Sequence, residues 1–172
     1  MTLNSDVYKT WTKTFACNKT VSGVMSAVQN DMGQFADNQG LFFGAYFPDQ
    51  PITMGGRYTI QPGVMNNTAN MYGRRSGGMF PMTNLVVTVT SQSAIGWTFT
   101  TDPSHHYFDG TVSFSSTDAG NGNVTFSITP NANWVSPFTH YTIGPMILAG
   151  ENSTWNNMLS NIQGYCASPT GQ

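Results

Sequence analysis

The sequence predicts an α+β fold in which a curved antiparallel β-sheet wraps on a C-terminal α-helix and leaves an apolar cavity between them. Two observations carry this prediction. In the second half, Leu85/Val87/Val89, Trp97/Phe99, Val112/Phe114 and Val124/Phe126/Ile128 alternate with polar residues, the period-two mark of strands with one buried face. At the end, Trp155, Met158, Leu159, Ile162 and Cys166 fall at helical spacing on one stripe.

Taken in order, Tyr8, Trp11 and Phe15 predict a first strand. Val21, Val24, Met25, Val28, Met32 and Phe35 then predict helix from about Thr20 to Ala36, capped by Asn18 or Thr20 and weakened at Gly23 and Gly33, so that two short helices fit as well as one. Leu41 to Phe47 is a continuous apolar run. Arg57 to Gln61 reads as a short strand, entered through Gly55-Gly56 and left through Pro62-Gly63. Residues 63–82 are irregular and rich in Gly, Asn and Met. The four alternating runs follow as a meander, with Asn121-Gly122 as a hairpin turn between the last two. The final helix is expected to start at a cap on Asn152 or Ser153. A turn opened earlier by Pro145 would extend it, with an interruption at Gly150. One amphipathic helix is enough to cover the concave face of such a sheet. Any unfilled space under it, expected beneath residues 152–166, becomes a small-molecule pocket. This is a helix-grip arrangement, and residues 1–172 read as a single domain.

Charge narrows the function. Of 172 residues, 6 are basic and 8 acidic, for a net charge of −2, whereas about 25 % of an ordinary domain is charged. Binding dominated by a nucleic-acid backbone is excluded, because too few cations exist to release counterions. Asn, Ser, Thr and Gly replace the charge, which fits a secreted protein or a cytoplasmic one of neutral polar habit. No segment has the length of a membrane span or signal peptide. Cys17 and Cys166 read first as two buried thiols acting as small apolar residues. A disulfide between them would close most of the chain and is the alternative. No zinc spacing, phosphate loop, dinucleotide fingerprint or nucleophile elbow is present, and no cofactor or metal is signalled.

The stretch Gly96-Trp97-Thr98-Phe99-Thr100-Thr101, followed by Pro103, His106, Gly110 and Phe114, resembles the central strands of the START-like, polyketide-cyclase and pollen-allergen-like superfamily (SRPBCC). The helix from Glu151 to Ile162 is similar to that family's closing helix, and the first strand with Val21 to Phe35 to its early helices. Residue-level likeness covers about twenty positions. It implies a hydrophobic cavity that takes lipids, sterols, flavonoids or polyketide intermediates, in some members with cyclisation, aromatisation or dehydration inside it.

The candidate site residues are few. His105, His106 and Asp109 form the densest titratable cluster, with Asp102 beside it as a weak metal-binding set; a turn-shaping role competes for all of them. His106, Tyr58 and Tyr141 are the candidates to polarise a carbonyl, His140 being Tyr141's neighbour. Arg57 would hold a carboxylate or enolate if it faced inward, and Trp97, Phe99, Phe114, Phe126, Trp155 and Met158 are the candidate apolar ligand contacts. Arg74-Arg75 and the methionines of 54–82 are placed for a cavity mouth. The leading expectation is thus a cyclase-like enzyme of secondary metabolism acting on a small apolar molecule. A non-catalytic carrier with the same cavity is the alternative. A secreted β-sandwich that binds glycans or attacks membranes is the other, and it predicts a flat sheet without a roofed cavity. A homodimer is compatible with the sequence but not signalled by it.

Overall fold

The computed structural model describes residues 9–36, 43–48, 50–64, 85–103, 107–142 and 144–169. Its elements are β1 (Trp11–Ala16), α1 (Val21–Asn30), α2 (Met32–Phe35), β2 (Phe43–Tyr46), β3 (Arg57–Val64), β4 (Leu85–Ser93), β5 (Gly96–Thr101), β6 (Phe108–Gly120), β7 (Asn123–Trp134), α3 (Pro137–Thr142) and α4 (Gly144–Ala167). The strands form one seven-stranded sheet in the order β1-β7-β6-β5-β4-β3-β2, with every neighbouring pair antiparallel. The helix α4 touches both edge strands, β1 and β2, so the sheet curls around it as expected. Among the described residues there is one sheet rather than two, against the sandwich reading.

The meander β4–β7 follows the alternation. Val87, Val89, Trp97, Phe99, Phe114, Val124, Phe126 and Ile128 are all buried. Asn121 (φ 55°) and Gly122 (φ 76°) both adopt positive φ, as a two-residue turn matched to sheet twist requires. At Gly110 (φ 152°) an added Cβ would stand 2.3 Å from the Asn131 carbonyl oxygen on β7. Gly110→Ala is therefore expected to cost about 2 kcal/mol through forced separation of β6 and β7, read as a lower urea midpoint. An unchanged midpoint would mean that the two strands part there without cost.

Several boundaries differ from the sequence reading for identifiable reasons. The early helix breaks at Asp31, not at a glycine. Asp31 (φ −149°) ends α1 and caps α2, its carboxylate accepting from the Gln34 N–H at 3.2 Å. Thr20 is the N-cap of α1, accepting from the Gly23 N–H at 3.0 Å. The strand at 57 runs on through Pro62-Gly63 to Val64, because beyond Ile60 it pairs with β2 instead of β4. A proline is tolerated where a strand is paired on one side. The terminal helix begins at Gly144, eight residues before the expected cap, and continues through Gly150 without interruption. Pro137 opens α3, with the Ser136 hydroxyl accepting from the Thr139 N–H at 3.1 Å, the usual place for proline in a helix.

Cys17 and Cys166 form a disulfide. The preferred reading as free thiols is therefore corrected: β1 and the last turn of α4 bring the two Cα atoms to 4.5 Å, within bonding range. At the same seam Lys19 Nζ donates to the Tyr165 and Ser168 carbonyls (2.7 and 2.9 Å).

The core has a dense end and an open end. Val24, Met25 and Val28 of α1 and Met158 and Ile162 of α4 are fully buried and belong to one apolar cluster with Phe126 and Ile128. Trp97 stacks on Phe114 (centroids 4.2 Å, 7°), and Phe99 meets both rings edge-on. On the outer face hydroxyls pair across strands: Thr12–Ser127 (3.0 Å), Thr14–Thr125 (2.7 Å), Thr98–Ser113 (2.9 Å) and Thr90–Thr100 (2.7 Å).

Candidate functional site

Beyond the Trp97–Phe114 stack several small residues enter the wall. Ala45, Val87, Val112, Ala132 and Gly150 surround an apolar cavity of about 100 Å³ between the sheet and α4. Phe47, Ile60, Leu85, Phe99, Phe108, Pro130, Ile147 and Trp155 complete its apolar lining. The small residues Ala45, Ala132 and Gly150 leave space that the larger side chains around them do not fill. The cavity lies beneath residues 147–155 of α4 rather than 152–166, because Met158, Ile162 and Cys166 are packed solid.

Its polar lining is sparse: Thr101, Tyr107, Thr111, Glu151 and Thr154. Thr101 Oγ1 accepts from the Gly110 N–H (2.9 Å) and reaches Asp109 Oδ1 (3.3 Å), so it braces β5 to β6. Glu151 is the chain's only glutamate. Its Oε1 accepts from the Trp155 indole N–H at 3.1 Å, while its Oε2 is buried with no partner among the described residues. Burial pushes the carboxyl pKa up from the ordinary 4.5 to about 7, against the smaller, opposing effect of the Trp155 hydrogen bond. Desolvation disfavours the charged form, so this acid is largely neutral below neutral pH.

Of the residues singled out from sequence, Phe99 and Trp155 line the cavity, and Trp155 packs tilted on Phe47 (5.6 Å) and edge-on to Phe114 (5.5 Å). Trp97, Phe114, Phe126 and Met158 lie in the solid core beside it. Arg57 is on the outward face and pairs with Asp102 at 3.2 Å, its side chain 59 % exposed. Tyr58 points inward from β3, but its hydroxyl donates to the Pro51 carbonyl and accepts from the Thr53 N–H (3.0 Å), pinning the preceding loop. Tyr141 is 73 % exposed on α3. Asp109 is exposed on β6. His105 and His106, Arg74-Arg75 and the methionines at 65, 71, 79 and 82 lie outside the described residues, as does the side chain of His140.

Sequence reasoning missed Glu151, Ile147 and Gly150. The signal was present: Ile147, Glu151 and Trp155 follow at four-residue steps, so one carboxylate sits on an otherwise apolar helical stripe. Among the described residues no three metal-ligating side chains converge, and no described helix is long and apolar enough to cross a membrane.

No protein-family model matches this sequence, and no curated protein matches it. Solved structures do. Protein Ms6760 from Mycobacterium smegmatis is 16 % identical and superposes with a TM-score of 0.56, covering 97 % of this chain and 94 % of that one. A START superfamily protein from the same organism is 12 % identical, with a TM-score of 0.50 over 92 % and 95 % of the two chains. The di-domain ARO/CYC BexL of the BE-7585A biosynthetic pathway is 6 % identical with a TM-score of 0.54; the match covers 96 % of this chain but 52 % of BexL. Over nearly its whole length, this chain has the helix-grip α+β fold that these START-superfamily and ARO/CYC structures share.

Proposed function

We propose that this protein encloses a small apolar molecule between its sheet and α4. The observation that carries the proposal is the roofed apolar cavity of about 100 Å³. An engineered cavity of about 150 Å³ with similar walls takes up benzene, so a single ring is the natural scale. The likeness to a START superfamily protein and to BexL supports the same reading. Phe99 and Trp155 are the sequence-derived contacts that border the space. The Cys17–Cys166 disulfide favours an oxidising compartment, the secreted alternative of the two that composition leaves open.

The test is a titration with toluene followed by protein NMR. Saturable shifts are expected at Ala132, Ile147 and Trp155. Gly150→Leu, which adds a bulky side chain at the cavity wall, is expected to abolish them while the protein stays folded. Absence of saturable shifts with toluene and with smaller apolar probes would sink the reading.

A cyclase-like enzyme is the second reading, favoured by an ionisable group inside an apolar chamber, Glu151. Its catalysis would be chiefly positioning. Of its sequence-derived candidates, Tyr58 has its hydroxyl held by Pro51 and Thr53, Tyr141 is exposed on α3, and His106 lies outside the described residues. Replacing each singly by Phe separates enzyme from carrier: a carrier keeps affinity within a few-fold, and an enzyme loses turnover.

A further inference from the structure

Glu151 lines the cavity, and one of its polar atoms is left unmatched by the fold. Glu151 Oε1 is held by the Trp155 indole at 3.1 Å, and Oε2 is buried without a partner among the described residues. Burying an unpaired polar group is costly, and a single partner recovers most of the cost. A neutral carboxyl offers one O–H donor, and with Oε1 engaged that donor belongs to Oε2. Its missing partner is therefore an acceptor.

The rest of the wall narrows the acceptor's chemistry. Among the described residues no Lys, Arg or His lines the cavity, so none of them would neutralise an anionic ligand there. Among the described residues Tyr107, just before β6, is the other titratable side chain on the wall. From the β1 side Lys9 stops at Asn152, donating to its side-chain oxygen at 2.9 Å in an exposed contact, and Asp109 lies exposed on β6. Thr101 is committed to Gly110 and Asp109. The volume admits about one ring.

We propose that Glu151 is the polar anchor of the cavity, donating from Oε2–H to the carbonyl oxygen of a neutral, ring-sized ligand of ketone, aldehyde or quinone type. This rests on the reading of the cavity as a ligand site. The anchor fixes which end of the ligand faces α4, and it acts only while the carboxyl keeps its proton.

The experiment compares acetophenone with ethylbenzene, which have nearly the same shape and differ by the carbonyl, in wild type, Glu151→Gln and Glu151→Leu. Calorimetric titrations are run at pH 5.5 and 8.5. Wild type is expected to bind acetophenone about tenfold more tightly than ethylbenzene at pH 5.5 and to lose that preference at pH 8.5. Glu151→Gln keeps a donor beside an acceptor for Trp155, so it is expected to hold the preference at both pH values. Glu151→Leu is expected to bind the two compounds alike. Equal affinities in wild type at pH 5.5, or a preference that survives in Glu151→Leu, would overturn the anchor while ethylbenzene binding upheld the cavity. Tighter binding of benzylamine than of acetophenone at pH 7 would also overturn it, since an amine selects the ionised acid. If neither acetophenone nor ethylbenzene binds while toluene or a smaller apolar probe does, the anchor falls and the cavity reading stands; if none of them binds, both fall.

Discussion

Cys17→Ser with Cys166→Ser is expected to destabilise the protein by about 4–5 kcal/mol. The two sulfurs join positions separated by 149 residues. In the chain-entropy model a cross-link acts on the unfolded ensemble, and more strongly as the closed loop lengthens. Against a total stability of roughly 5–15 kcal/mol for a domain, such a loss takes a third or more of the margin. The neighbouring contacts do not replace it. The Ser168 carbonyl accepts from Asn18 in an exposed contact and from Lys19 in a part-buried one, and a cation at a helix C-terminus contributes about 0.3–1 kcal/mol. Urea unfolding of the double variant should show a lower midpoint and a steeper dependence on urea, because the unlinked unfolded chain exposes more surface. Reducing the wild type with a dithiol should reproduce both changes. A double variant within about 1 kcal/mol of wild type would mean that packing alone holds the seam.

The second large effect is a dependence of stability on pH that comes from Glu151. Its folded-state pKa is raised, from 4.5 to about 7. Between those values the folded protein retains a proton that the unfolded chain has lost. Stability therefore falls as pH rises through this window and is level on either side of it. At 1.36 kcal/mol per pKa unit the full swing is about 3 kcal/mol. The residue as a whole is only part-buried, but its Oε2 is fully enclosed, and that atom sets the penalty. Urea midpoints measured at half-unit intervals from pH 4.5 to 8 should fall in wild type relative to Glu151→Gln, which cannot titrate. A constant difference between the two would place the carboxylate in contact with water.

Much of the fold was legible in the sequence, and the limit is physical. Alternation at Val87/Val89, Trp97/Phe99 and Val124/Phe126/Ile128 fixes which face is buried, because a strand's side chains have no other choice of side. Asn121-Gly122 fixes the turn, since both residues tolerate positive φ. Burial face is not chemical role, however. Tyr58 points inward as its alternation requires, yet its hydroxyl turns to the Pro51 carbonyl, a partner that only the folded loop provides. The place of the cavity was equally hidden. It depends on Ala45, Ala132 and Gly150 meeting across elements far apart in the chain, and periodicity within one element carries no information about volumes opposite it. The disulfide is of the same kind: its two ends are brought together by the whole sheet.

The paired hydroxyls of the outer face have a consequence for the medium in which the protein works. Screening acts on charges, and at 1 M salt its characteristic length is about 3 Å. A surface braced by Thr–Thr and Thr–Ser pairs, on a chain with 8 % charged residues, presents almost nothing to screen. Dilute water and brine should thus find the same folded molecule.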